Sequence, residues 1–297
     1  MKILAIIHGR APMKAPTIAR LEAWAEGHSD IYLEVHETQG HFDALRRSKE
    51  SAGFNTVLSC GGDGTNNEVL NGLMTIQPLE RPTLAILPLG SGNDFARILP
   101  QRSTIELLSA IEKDQPNSID ILRVRTPNKQ WFALNMITCG IGAEIAATVN
   151  RRKFSLPPAF NYYSGIIQWL MKYKAPVLEL TSDAGTTKSR TFLGAFGNGT
   201  YAGNGLGLNP QSSMDDGQMG VTVIGNVGMI DFLRYQSTLK KAQKVQDERL
   251  HYSTSTSATI RIAEGSCAFE TDGEVLDRLE AGEEAVIDLL PGTIQLI

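Results

Sequence analysis

Long hydrophobic runs are missing from this chain: no apolar stretch approaches the ~18 residues that a membrane-spanning helix needs. The apolar N-terminal run, residues 1–7, is also too short to read as a signal peptide. Cysteine is scarce. Only Cys60, Cys139 and Cys267 occur, widely spaced and in apolar surroundings, which excludes a disulfide framework and fits reduced core thiols of a cytosolic protein. There is no excess of positive charge either. With 28 Lys and Arg against 32 Asp and Glu, the net charge of −4 argues against a nucleic-acid partner and against a basic surface over the whole molecule. Repeats and low-complexity segments are absent. What is left, 297 residues of which 42% are hydrophobic and 20% charged, is an ordinary globular composition, large enough for two medium domains.

The informative stretch is residues 60–73, CGGDGTNNEVLNGL. Residues 55–59 before it are apolar and β-branched, as in a buried parallel strand, and Glu68, Val69, Leu70, Leu73 and Met74 recur at helical spacing. The segment reads as strand, glycine turn, helix. Gly61, Gly62 and Gly64 leave room for backbone N–H groups to approach a ligand at the positive end of the helix, the arrangement of a phosphate cradle. Asp63 would repel a phosphate unless a divalent cation lay between them, which points to a nucleotide with Mg²⁺. The plainer alternative is a tight turn with Asp and Thr as caps. A second glycine loop, PLGSGNDFAR at residues 88–97, follows another apolar strand at residues 84–87, with Ser91 in the loop and Asn93-Asp94 at a helix start. Two such loops leaving one parallel sheet at the carboxyl ends of its strands stand where open α/β sheets place ligands.

Around them, strands at residues 3–7, 31–35 and 118–124 alternate with helices at 17–27, 41–51 and 104–113. That alternation predicts a three-layer α/β domain over residues 1–122. Beyond it, strand-like segments at 131–138, 177–182, 190–196, 221–224, 250–255, 258–262 and 285–289 dominate, interrupted by a helix at 229–241. They predict an antiparallel β-sandwich-like domain over residues 123–297, whose last strand, 293–297, returns to the first domain. Gly140-Ile141-Gly142-Ala143-Glu144 lacks the remainder of a dinucleotide fingerprint and reads as a tight turn into a helix. Arg151-Arg152-Lys153 beside an amphipathic segment at 162–173 would suit an anionic membrane surface, or else pack on its own domain. In residues 213–218, SMDDGQ, carboxylates in a tight turn suit a hard cation, with an Asx turn as the alternative. Asp272-Gly273-Glu274 reads as a hairpin turn.

Taken together, GGDGTNNEV at 61–69, PLGSGNDFAR at 88–97, GNGTYAGNG at 197–205, DDG at 215–217 and DGE at 272–274 resemble the diacylglycerol kinase catalytic family, and within it the soluble bacterial YegS-like lipid kinases. The motifs follow the family's order over nearly the whole chain. The resemblance implies an NAD kinase/diacylglycerol kinase-like α/β domain followed by the β-sandwich-like domain. It also implies phosphorylation of a diacylglycerol-like lipid, diacylglycerol or phosphatidylglycerol, with ATP and Mg²⁺ by a protein that associates peripherally with a membrane surface.

Residue by residue, the resemblance makes Glu274 the general base, with Asp63 at the nucleotide's metal. Thr38, Gly62, Asp63, Gly64, Thr65, Asn66, Asn67, Glu68 and Ser91 would bind ATP. Asp216 with main-chain oxygens of Ser213 and Gln218 would hold a structural Mg²⁺. Thr38 has an equal alternative as the cap of the following helix. His8-Gly9-Arg10-Ala11-Pro12 departs from the family's first loop and receives no assignment. Phosphorylation of NAD and nucleotide-gated lipid binding without turnover are the alternative functions.

Overall fold

The computed structural model describes residues 1–101, 103–151 and 173–297, which form two compact units. The first comprises Met1–Ile119 with Gly292–Ile297, and the second Asp120–Pro291.

In the first unit, strands β1 (Lys2–Ile7), β2 (Tyr32–Glu37), β3 (Thr56–Gly61) and β4 (Thr83–Pro88) form a parallel sheet in the order β2-β1-β3-β4. Every residue of β3 is buried, and all of β1 after Lys2. A parallel strand needs a crossover to reach its neighbour, and the helices that make it cover the sheet, so its central strands become uninterrupted apolar runs. Those crossovers are α1 (Lys14–Glu26), α2 (Asp43–Lys49) and α3 (Asp63–Leu73), and α4 (Thr104–Lys113) follows β4. Ile3, Ala5, Ile7, Leu58, Ala85 and Leu87 pack with Leu21, Leu107, Leu108 and Ile111 in one core, and Ile297 joins it. Leu296 pairs in parallel with Leu84.

Strand β5 (Asn117–Arg125) leads into the second unit, which contains β6 (Gln130–Ala133), β7 (Met136–Gly140), α5 (Ile141–Arg151), β8 (Val177–Ser182), β9 (Gly185–Arg190), β10 (Leu193–Gly197), β11 (Tyr201–Ala202), β12 (Leu206–Gly207), β13 (Met219–Ile224), α6 (Met229–Lys240), β14 (Leu250–Ser255), β15 (Ser257–Glu264), β16 (Ser266–Thr271), β17 (Glu274–Glu280) and β18 (Glu284–Leu296). β18, β15, β8 and β9 pair antiparallel in that order, and the other sheet runs β14-β13-β10-β7-β16-β17. Leu122, Val124, Phe196, Met219, Val221, Ile260, Ile262, Phe269 and Ile287 share the core of this sandwich. All three cysteines are buried and unpaired, and no described helix is long and apolar enough to cross a membrane.

Several expectations are corrected. The strand expected over 131–138 is broken into β6 and β7, and the one expected over 190–196 into the end of β9 and β10. β17 escaped notice because a register shift opposite Phe269 and Glu270 leaves Leu276 and Leu279 as its buried residues, a spacing of three that hides the alternation of a strand. The turn into a helix expected at Gly140 is present, with φ of +94° at that glycine. Most of the basic and amphipathic stretch proposed for membrane contact, 152–172, lies outside the described residues.

Helices α2 and α3 touch through Gly72. A Cβ there would sit 1.9 Å from Ser48 Oγ and 2.5 Å from the Leu45 carbonyl oxygen. Gly72→Ala should therefore lower unfolding free energy by about 1–3 kcal/mol, whereas Gly40→Ala, with open space around the new methyl, should stay within about 0.5 kcal/mol of the parent in urea denaturation.

Candidate active site

The two glycine loops of the first unit are built against each other. Leu89 and Gly90 donate their N–H groups to the Gly61 carbonyl at 2.8 and 3.2 Å. Beyond that pair the loops meet Cα to Cα: a Cβ on Gly90 would lie 2.4 Å from the Gly62 Cα, and one on Gly62 would lie 3.1 Å from the Gly90 Cα. Asn93, in the left-handed region at φ +53°, closes the second loop by accepting from Gly90 N at 3.0 Å and donating to Gly90 O at 2.7 Å. Asp63 then ties the loops together. Its Oδ2 accepts from Asp94 N at 3.0 Å and its Oδ1 from Phe95 N at 3.2 Å, so it caps the short helical turn Phe95–Ile98. The first intrahelical hydrogen bond of α3 runs from Asn66 N to Gly62 O, so helix geometry gives the N–H groups of Asp63, Gly64 and Thr65 no carbonyl within the helix. These donors and the helix dipole suit an anion.

The side chains expected at the nucleotide divide into two sets. Ser91 is exposed, and Gly62, Asp63 and Gly64 are half-buried on the loop. Asn66 and Asn67 are instead buried: Ser59 Oγ donates to Asn66 Oδ1 at 2.7 Å, and Asn71 Nδ2 bonds Asn67 O at 2.8 Å. Thr65 is buried too, with its hydroxyl against Gly61. Glu68 accepts from Phe42 N at 2.9 Å and Ala44 N at 3.2 Å, so its carboxylate holds the start of α2. The alternative in which Thr38 caps that helix is therefore corrected. Thr38 Oγ1 accepts from Gly9 N at 3.0 Å, and a Cβ on Gly9 would lie 2.1 Å from the Thr38 carbonyl oxygen. A glycine at that place in the otherwise unusual first loop is thus required by close approach.

In the second unit, the loop at 213–218 is an Asx turn: Asp216 Oδ1 accepts from Gln218 N at 3.0 Å, with Gly217 at φ +71°. Ser213 Oγ donates to Asp215 Oδ1 at 2.7 Å. Buried Asp120 anchors the loop, accepting from Gly217 N at 2.8 Å while its own N–H donates to Met214 O at 2.7 Å. Asn198 of the GNGTYAGNG motif is fully buried and bonds the carbonyls of Asp120 and Leu134, so this motif braces the same region. Among the described residues no group of three or more His, Cys, Asp or Glu side chains is placed to hold a metal ion. A cation here would rest on Asp216 and on main-chain oxygens such as those of Ser213 and Gln218, a sparse oxygen set that suits an Mg²⁺ keeping several of its waters.

Asp272-Gly273 is the two-residue turn between β16 and β17, with φ of +49° and +91° and Thr271 paired to Glu274. The Asp272 carboxylate accepts from Leu134 N, Asn135 N and Met136 N at 3.0, 3.1 and 2.9 Å. That is where the strand expected over 131–138 breaks. Glu274 opens β17, partly exposed, on the shoulder of this fixed turn. Below it, buried Glu270 accepts from Thr138 Oγ1 at 2.7 Å and from Gly273 N at 2.6 Å, and burial pushes its pKa up to about 7.

Comparison with known proteins bears on these loops directly. The family model for the diacylglycerol kinase catalytic domain matches residues 6–124, and that for the YegS C-terminal NAD kinase beta sandwich-like domain matches residues 135–297. The chain belongs to the YegS-like lipid kinase family. A Yersinia pestis relative named "Probable lipid kinase YegS-like" is 31% identical over 89% of this chain and 86% of its own. The "Diacylglycerol kinase" of Bacillus subtilis is 26% identical over 81% of this chain and 78% of its own. A crystal structure of a protein from Bacillus anthracis named a diacylglycerol kinase aligns over 100% of this chain and 96% of its own, with a TM-score of 0.74 at 24% identity, and so shares the fold. For a YegS-like kinase, the residues that sequence reading missed are Asp120 and Glu270, whose partners lie far away in sequence. Asp272 was noticed only as a turn residue.

Removing the Asp272 carboxylate strands several buried N–H groups, each costing about 1–3 kcal/mol. Asp272→Ala should lower stability in urea by about 3 kcal/mol or more, and Asp272→Asn by distinctly less, because Asn tolerates positive φ and keeps one acceptor oxygen.

Proposed function

We propose that this YegS-like protein is an ATP- and Mg²⁺-dependent kinase for a diacylglycerol-like lipid, with diacylglycerol or phosphatidylglycerol as acceptor. The observation that carries this reading is the cross-linked pair of glycine loops, in which Asp63, Gly62 and Gly90 hold the second loop against the N-terminus of α3. Backbone amides of residues 62–65 and the Ser91 hydroxyl would bind the phosphates, while the buried Asn66, Asn67 and Glu68 support the loop and the neighbouring helix. Thr38 with Gly9 would form the neighbouring wall. Mg²⁺, when bound, supplies charge neutralisation at the phosphates, with Asp63 as the nearby carboxylate. Glu274 would accept the proton of the lipid hydroxyl, so that the oxygen can attack the terminal phosphorus of ATP while the bond to the β–γ bridging oxygen breaks and ADP leaves. The carboxylate loop at Asp216 would hold a structural cation, and its role is to keep the second unit in order.

A lipid acceptor requires approach to a membrane surface. Helix α6 supports this: Ile230 and Leu233 are 64% and 57% exposed, with Arg234 and Lys241 exposed near them, so an apolar and basic face stands open to a peripheral contact.

Labelled ATP with total lipid extract tests the reading, since label in the lipid phase supports it and label in NADP, or none, opposes it. Within that assay, Glu274→Gln should lower kcat by about 10² to 10⁴ with unchanged ATP affinity and fold. Asp63→Asn should instead weaken Mg·ATP binding, because it removes the charge facing the metal and puts an NH₂ donor among the amides of Asp94 and Phe95. Near-normal turnover by the Glu274→Gln protein would remove Glu274 from the mechanism.

A further inference from the structure

We propose that Glu270 is the positioning residue for the base Glu274, fixing the Asp272-Gly273 turn through its hydrogen bonds to Gly273 and Thr138. The inference rests on the reading of Glu274 as the base.

The geometry comes first. Glu270 is 6% exposed and lies on β16 opposite Thr138 of β7, while Gly273 is the middle of the segment that ends in Glu274. One carboxyl oxygen takes the Thr138 hydroxyl at 2.7 Å and the other the Gly273 N–H at 2.6 Å. This single side chain therefore links the floor of the sheet to the Asp272–Gly273 peptide group at the centre of the turn, one residue before Glu274. A shift of that peptide moves the base, and a displacement of about 1 Å is enough to cost ~10²-fold in rate.

The surroundings explain the protonation state. The acidic groups at Glu270 are Asp272 in the turn and Glu274 at the head of β17. From the remaining elements packed on β16, β7 offers the Thr138 hydroxyl and the buried thiol of Cys139, while Glu144 of α5 is paired with Arg278 of β17. Tyr173, whose ionisation burial opposes, contributes a neutral hydroxyl to that side. Ionisation of Glu270 thus places a second buried negative charge under a turn that already carries Asp272 and Glu274. Its pKa moves from the ordinary 4.5 to about 7, with burial as the largest cause, so the proton is held through mildly acidic conditions and lost above neutrality.

The sign of the stability linkage follows. Between pH 4.5 and about 7 the folded protein binds this proton and the unfolded chain does not, so the contribution is complete below 4.5 and is lost as pH rises through about 7. Glutamine cannot ionise: its Oε1 accepts from Gly273 N, and its Nε2 donates to the Thr138 hydroxyl, which turns from donor to acceptor as it also must toward the protonated acid.

The test is the pH profile of lipid phosphorylation, from pH 5.5 to 9, for the parent, Glu270→Gln, Glu270→Ala and Glu274→Gln, each with ATP saturating. The parent should lose kcat on an alkaline limb near pH 7. Glu270→Gln should lack that limb, keep parental kcat below it within about threefold, and lose the corresponding fall in urea midpoint. Glu270→Ala should lower kcat at least tenfold across the range while the KM for ATP changes by less than twofold. An alkaline limb that persists unchanged in Glu270→Gln, with Glu274→Gln inactive, overturns this inference and leaves the base assignment standing. Turnover by Glu274→Gln overturns the base assignment itself. Should Glu270→Gln fail to fold, the parent with ¹³C-labelled glutamate gives the answer by NMR: a buried carboxyl titrating near pH 7 supports the proposal, and one with every glutamate titrating below pH 5.5 overturns it.

Discussion

The bond between Asp63 and the backbone of Asp94 and Phe95 is the constraint on which the pair of glycine loops depends. Two loops rich in glycine are entropically costly to order, because glycine loses more backbone freedom on folding than any other residue. Something must hold them. A carboxylate that accepts from two amides on the other loop does so, and it works only because Gly62 and Gly90 carry no side chains to keep the loops apart. In the proposed function the same carboxylate would be the one near a metal-bound phosphate. Its first effect is on the shape of the cradle, and its charge acts at that shape.

The second unit repeats this device with different residues. Asp272 fixes the DGE turn by gathering the amides at the break between β6 and β7, and Asp120 fixes the DDG loop through Gly217. Asn198 bonds the carbonyl of Asp120 itself and that of Leu134 beside the break, so the GNGTYAGNG motif is bracing between those two loops. Acidic residues thus act in two capacities. Asp120 and Asp272 are buried and tied to backbone, whereas Asp216 and Glu274 remain at least partly exposed on the frames they create.

Much of this was legible in the letters. The parallel strands announce themselves as short apolar runs because both of their faces are covered, and the glycine loops stand out because their composition is so unlike that of their flanks. The family resemblance supplied the order of the motifs and the division into α/β and sandwich halves, which the matching domain models bear out. The obscure parts were long-range. That Asn66, Asn67 and Glu68 face inward depends on Ser59, Asn71 and the start of α2, and helical spacing alone does not say which polar side of α3 meets another helix. Strand β17 was concealed by a bulge, and the burial of Glu270 on β16 depends on its distant neighbour β7, which its own letters do not announce. Asp120 could not be connected with the DDG loop, since the two are almost a hundred residues apart.

The central claim is that the amides of the two cross-linked loops are the nucleotide's phosphate site. Backbone amide NMR of ¹⁵N-labelled protein during titration with Mg²⁺ and a non-hydrolysable ATP analogue tests it most directly. The account predicts that the largest shifts fall on Gly62, Asp63, Gly64, Thr65 and Ser91, saturating together with one dissociation constant. Saturable shifts concentrated elsewhere, with these amides unmoved, would contradict it.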